Sequence, residues 1–167
     1  MSYDYSPTEN GNLPRAHEIA LRRLLPRLVQ TDFEWALTGS ASFTLRGIPF
    51  DPEDLDLQTS QAGAYELERL FAEYLERPVR YTSNERVRSY WGCLRVDGVE
   101  VEIIGAIQKR LPDGSWSEPP DLSGLRVYVY FAGYMLPVLD LKYESQAYAL
   151  LGRQKRSVVL KDWSERL

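Results

Sequence analysis

A chain of 167 residues with formal net charge −4 is long enough to bury a real core and too acidic to coat nucleic acid with a broad basic surface. Its 26% charged residues are ordinary for a soluble protein, and no apolar run reaches membrane-spanning length. The single Cys93 cannot close an intrachain disulfide, which fits a reducing cytoplasm, and Met1 to Ser6 lacks the basic and apolar pattern of a signal peptide.

Residues 1–12 are polar, with Pro7 and Gly11, and are expected to form a flexible lead-in to a single domain over 13–167. Pro14 then opens a helix to about Gln30, with Ala16, Ile19, Ala20, Leu24, Leu25 and Leu28 as its apolar stripe. Pro26 inside that pattern predicts a kink or a division into two helices. His17, the only histidine, has no cysteine or second histidine near it in sequence and reads as a surface or packing residue. Phe33–Thr38 reads as the first strand, Ser40–Arg46 as a short helix, and Gly47 as its stop. A proline-punctuated loop, Ile48–Glu53, delivers the chain to a strand containing Asp54-Leu55-Asp56-Leu57. A helix from Ala64 to about Arg77 follows, its core stripe being Leu67, Leu70, Phe71, Tyr74 and Leu75; Pro78 breaks it before a short strand, Val79–Thr82.

Val87–Val96 and Val99–Ile104 alternate as strands around Asp97-Gly98, a strong local hairpin signal. Cys93 sits in the first arm as a buried strand cysteine, and Lys109 and Arg110 read as a solvated face beyond the second. Leu111–Gly124 is expected to be an irregular excursion and Arg126–Phe131 a strand. Gly133 and Pro137 punctuate the way to a helix over 139–151, and a last helix covers Gln154–Glu165. Gly152 separates the two, with Arg153, Lys155 and Arg156 clustered at the junction. Strands interleaved with helices, plus a hairpin, indicate an α/β (α+β) fold with a mixed sheet flanked by helices and a helical C-terminal part at about 139–167.

Two stretches carry chemistry. Asp54 and Asp56, two apart on a strand, share a face and repel one another unless a cation sits between them; an all-oxygen set of this kind suits Mg²⁺. Upstream, Gly39-Ser40 joins a strand to a helix, a turn whose backbone N–H groups can cradle phosphates. A solvated acidic approach, Asp51-Pro52-Glu53-Asp54, would account for the aspartates alone but not for the Gly-Ser turn.

Gly39-Ser40, a short interval and apolar-flanked Asp54-Leu55-Asp56 together resemble the signature of the nucleotidyltransferase superfamily, the polymerase-beta-like fold, over about residues 35–104. The resemblance implies transfer of a nucleoside monophosphate from a triphosphate such as ATP, with pyrophosphate released and two Mg²⁺ ions, or Mn²⁺ in their place, held by Asp54, Asp56 and a third carboxylate on a later strand. That third position departs from the family's usual Asp. Glu100 and Glu102 share a strand face, and Glu102 is preferred because Ile103 and Ile104 follow it as apolar residues do in the family, leaving Glu100 as the fallback. Glutamate lengthens the arm by about 1.5 Å. The resemblance gives Gly39 and Ser40 the triphosphate and makes Lys142 a phosphate-reaching lysine at the start of the C-terminal helix; Arg46, at the end of the helix after Ser40, reads either as a further phosphate contact or as a solvated helix-end arginine. Acceptors in this superfamily include small molecules, RNA and proteins, so a toxin-like transferase with a neutralising partner stands beside the small-molecule reading. A member that binds nucleotide without turnover is the third alternative.

Overall fold

The computed structural model describes residues 3–4 and 13–166, so the lead-in expected over 1–12 lies, apart from residues 3–4, outside the described residues. Eight strands form one mixed sheet in the order β1-β7-β8-β2-β3-β6-β5-β4. In chain order these are β1 (Tyr3–Asp4), β2 (Trp35–Thr38), β3 (Leu55–Thr59), β4 (Leu75–Ser83), β5 (Val87–Val96), β6 (Val99–Lys109), β7 (Arg126–Phe131) and β8 (Tyr134–Leu139). The helices are α1 (Arg15–Leu28), α2 (Gly39–Leu45), α3 (Gln61–Leu70), α4 (Leu141–Leu150) and α5 (Gln154–Arg166). None of the described helices is long and apolar enough to cross a membrane.

Alternation along β6 assigns the two faces: Val99, Val101 and Ile103 are buried, while Glu100, Glu102 and Ile104 are half-buried. The buried face joins Leu37, Leu55 and Leu57 against Leu21, Leu24, Leu28 and Leu67 of α1 and α3, the main core. A second cluster, Phe43, Ile48, Leu141 and Leu160, ties α2 to α4 and α5. The centre of the sheet is the part that matters for function. There β3 runs antiparallel to β2 and parallel to β6, and the register sets Thr38, Asp56 and Glu102 side by side.

The Asp97-Gly98 hairpin forms as expected, with both residues at positive φ (50° and 82°), the geometry a two-residue I′ turn requires. Other elements differ from expectation for identifiable reasons. Pro26 lies within one continuous helix, on its exposed side where the missing hydrogen bond meets water. The stripe of α1 takes in Leu21 and leaves Ile19 exposed. α3 starts three residues early because Ser60 caps it, its Oγ accepting from Gly63 N–H at 3.0 Å. It also ends by Leu70: the chain makes a 3₁₀ turn and enters β4, an edge strand whose irregular pairing accommodates Pro78. β8 was not expected at all. Its ladder to β2 is reduced to the pair Leu37↔Val138, which leaves room for Pro137.

Candidate active site

β2 ends at Thr38 and turns through Gly39 directly into α2. Gly39 has φ +75°, and a Cβ there would stand 2.5 Å from Asp56 Oδ2, so the turn's backbone lies against that carboxylate. Asp54 immediately precedes β3 instead of lying within it, yet reaches the same place: carboxylate oxygens of Asp54, Glu100 and Glu102 lie within 4.8 Å of one another. Ser40, Asp51, Glu53, Asp54, Asp56 and Glu102 line one cavity of about 440 Å³ together with Tyr148, Arg153 and Arg156. A larger hollow of about 870 Å³ between α1 and α3 has Arg27 and Arg69 already ion-paired to glutamates and gathers no comparable cluster.

The carboxylates are under electrostatic strain. Burial, with Glu102 and Glu100 beside it, pushes Asp54 up to about 6. Burial also holds Asp56 well above the usual carboxylate range, reinforced by a hydrogen bond shared with Glu102 and by the charge of Asp54. Among the described residues, Asp56 Oδ1 is buried without a hydrogen-bond partner. Clustered carboxylates beside an unpartnered buried oxygen suit a hard divalent cation, and Asp54, Glu100 and Glu102 are close enough together to hold one, with Asp56 adjoining them.

Two candidates stay away from the cavity. Arg46 is buried behind it: its Nε donates to Ser42 O at 3.3 Å, its guanidinium lies 5.9 Å from the Phe43 ring centroid, and its charge faces Glu144. Lys142 is exposed, because at 100° per residue it points some 200° away from Glu144, whose helix face is the one turned to the site. Glu144 faces the backbone of Gly39, and the Ser40 side of the turn lines the cavity. Glu100 takes part in the acidic group but also lies 3.2 Å from Cys93 Sγ. Burial and the nearby Glu100 push that thiol up to about 12, which keeps it protonated and unreactive. Lys109, expected to be solvated, is 5% exposed and donates to Tyr143 OH at 3.1 Å.

The cationic wall comes from the α4–α5 junction. Arg156 Nη1 donates to Ser40 Oγ at 3.1 Å and its guanidinium lies over Phe50 and Tyr148; Arg153 lies over Tyr148. Among the described residues neither arginine forms an ion pair, although five carboxylates line the same cavity. The sequence signal for this wall was the Gly152 break with its basic cluster.

Residues 20–165 match the family model described as aminoglycoside-2''-adenylyltransferase. A crystal structure at 1.87 Å of a Thermotoga maritima protein, provisionally named a nucleotidyltransferase, is similar at 41% identity with a TM-score of 0.80; the match covers 93% of this chain and 96% of that one. No curated protein gives a significant match.

Proposed function

The chain belongs to the aminoglycoside-2''-adenylyltransferase family and is a nucleotidyltransferase, and from that premise we propose that it moves a nucleoside monophosphate from a Mg²⁺-bound triphosphate to a hydroxyl of an amino-bearing small molecule. The observation that carries this reading is one cavity lined by five carboxylates and by two arginines that, among the described residues, form no ion pair. Asp54, Asp56 and Glu102 are the residues that would hold divalent ions. Bound there, the ions would neutralise charge on the transferring phosphoryl group and clamp the attacking and leaving oxygens.

The chain's own groups divide the remaining work. Arg153 and Arg156 bind the β- and γ-phosphates, the part that leaves as pyrophosphate, with guanidinium forks suited to phosphate oxygens. Ser40 Oγ, already oriented by Arg156, adds a hydrogen bond to the triphosphate. The acceptor hydroxyl attacks the α-phosphorus, the bond to the bridging oxygen of the leaving pyrophosphate breaks, and Glu102 takes the acceptor's proton.

Asp51 and Glu53 lie beyond the metal-holding set at the rim. A triphosphate and two divalent ions roughly cancel in charge, so these rim carboxylates favour a cationic acceptor. That preference, together with the acidic chain, supports an amino sugar over RNA.

The test is pyrophosphate release by the purified protein with each triphosphate and Mg²⁺. The acceptors are an aminoglycoside, a neutral sugar, a short RNA, or none. Release is expected with the aminoglycoside. Release with RNA alone would instead favour the toxin-like reading, and no release with any acceptor, alongside Mg²⁺-dependent triphosphate binding, would favour a binding-only protein.

A further inference from the structure

Beneath the cavity floor, α4 carries a carboxylate for which the reaction has no direct use. Glu144 is 2% exposed. Thr38 Oγ1 donates to its Oε1 at 2.7 Å, and the Gly39 backbone faces the same carboxylate. Arg46, beside α2, and Lys109, at the end of β6, face it with positive charge. Tyr143 lies between these elements and accepts from Lys109 Nζ.

Burial pushes Glu144 above the usual carboxylate range, and its charge in turn adds to the repulsion on Asp56. A core selected for stability alone gains little from such a group, since well-packed apolar residues of similar volume often serve as well or better than buried charges. The donor that Glu144 holds is the last residue of β2, and the first residue of α2 adjoins it. Thr38 is the register partner of Asp56, and Gly39 is the residue whose backbone lies against Asp56 Oδ2. The next residue is Ser40, which meets Arg156.

We propose that Glu144 is a positioning residue: through its hydrogen bond with Thr38 Oγ1 it locks the β2–α2 turn, and so sets where Asp56 and Ser40 stand for the metal-bound triphosphate. This rests on reading the cavity as the triphosphate site. Placement at this level matters because a displacement of about 1 Å in a reacting array can lower rate by roughly a hundredfold.

The test compares Glu144→Gln, Thr38→Val and Thr38→Ser. It measures affinity for a non-hydrolysable triphosphate with Mg²⁺ by calorimetry, alongside the melting temperature of the ligand-free protein. Thr38→Val keeps the shape of the side chain and removes its donor, whereas Thr38→Ser restores the donor. Affinity should fall about tenfold or more in Thr38→Val and Glu144→Gln, and stay within about twofold in Thr38→Ser. The double variant Thr38→Val/Glu144→Gln should be little worse than the weaker single variant, since both break one coupled unit.

If Glu144→Gln fails to fold, the Thr38 pair decides. A folded Thr38→Val that binds triphosphate like the wild type, with only a lower melting temperature, makes the network merely structural and overturns the proposal. A wild-type protein that binds no triphosphate overturns the reading of the cavity and this inference together.

Discussion

Asp56→Asn is expected to abolish nucleotidyl transfer, by about a thousandfold or more, in a protein that remains folded. The substitution keeps the shape of the side chain and removes the charge that sits deepest among the carboxylates. It should also raise the metal-free melting temperature near pH 7.5. The folded-state pKa values of Asp54 and Asp56 lie above their unfolded values, so these groups favour folding at low pH and lose that contribution as pH rises through the folded values. For Asp54 the loss begins above its ordinary value of 3.8 and is largely complete once pH has passed about 6. Metal-free wild type should therefore melt at higher temperature as pH falls from about 7 toward 5, and Asp56→Asn should show a smaller rise. Mg²⁺ should stabilise the wild type at pH 7.5 and the variant much less. Turnover near the wild-type level in Asp56→Asn would remove that residue from the metal set.

Gly39→Ala is the second change expected to be severe. It places an L side chain at φ +75° and brings its Cβ to 2.5 Å from Asp56 Oδ2, so either the turn or the carboxylate must move. The backbone strain alone costs roughly 1–3 kcal/mol. Gly47→Ala separates strain from displacement, because Gly47 has φ +83° and nothing within 4 Å of the added Cβ. Both variants should melt lower than wild type. Only Gly39→Ala should also lose transfer activity per folded molecule, by about a hundredfold or more. Equal activity in the two variants would mean that the contact between Gly39 and Asp56 has no part in catalysis.

The portion of the cavity that could be read from the sequence is the portion built by local geometry. Strand alternation put Asp56 and Glu102 on accessible faces, and the Gly39-Ser40 turn announced itself by residue type. Which strands adjoin is a matter of topology, and only the parallel pairing of β3 with β6 brings Asp56 beside Glu102. Arg153, Arg156 and Tyr148 reach the cavity because α5 folds back on α4, an arrangement set by Phe43, Ile48, Leu141 and Leu160 packing together. Local pattern says nothing of that, so the basic cluster was visible while its destination was not. Lys142 looked suitable by position but points away, and Glu144, two residues on, carries the helix's contact with the turn.

Lys109 was misread because of a bulge: Ala106 has φ 49° where the β5–β6 register shifts, and the strand end turns over, so Lys109 is buried against Tyr143 of α4. β8 was hidden by Gly133 and Pro137, which mark a two-residue hairpin turn and an interrupted ladder rather than a loop.

Anomalous diffraction from crystals soaked with Mn²⁺ and a non-hydrolysable triphosphate decides whether the carboxylates and the arginines hold the two ends of one metal-bound triphosphate. Manganese peaks coordinated by Asp54 and Asp56 are expected, with the β- and γ-phosphates against Arg153 and Arg156. Manganese bound away from Asp54 and Asp56, or a triphosphate seated on another surface, would contradict that arrangement.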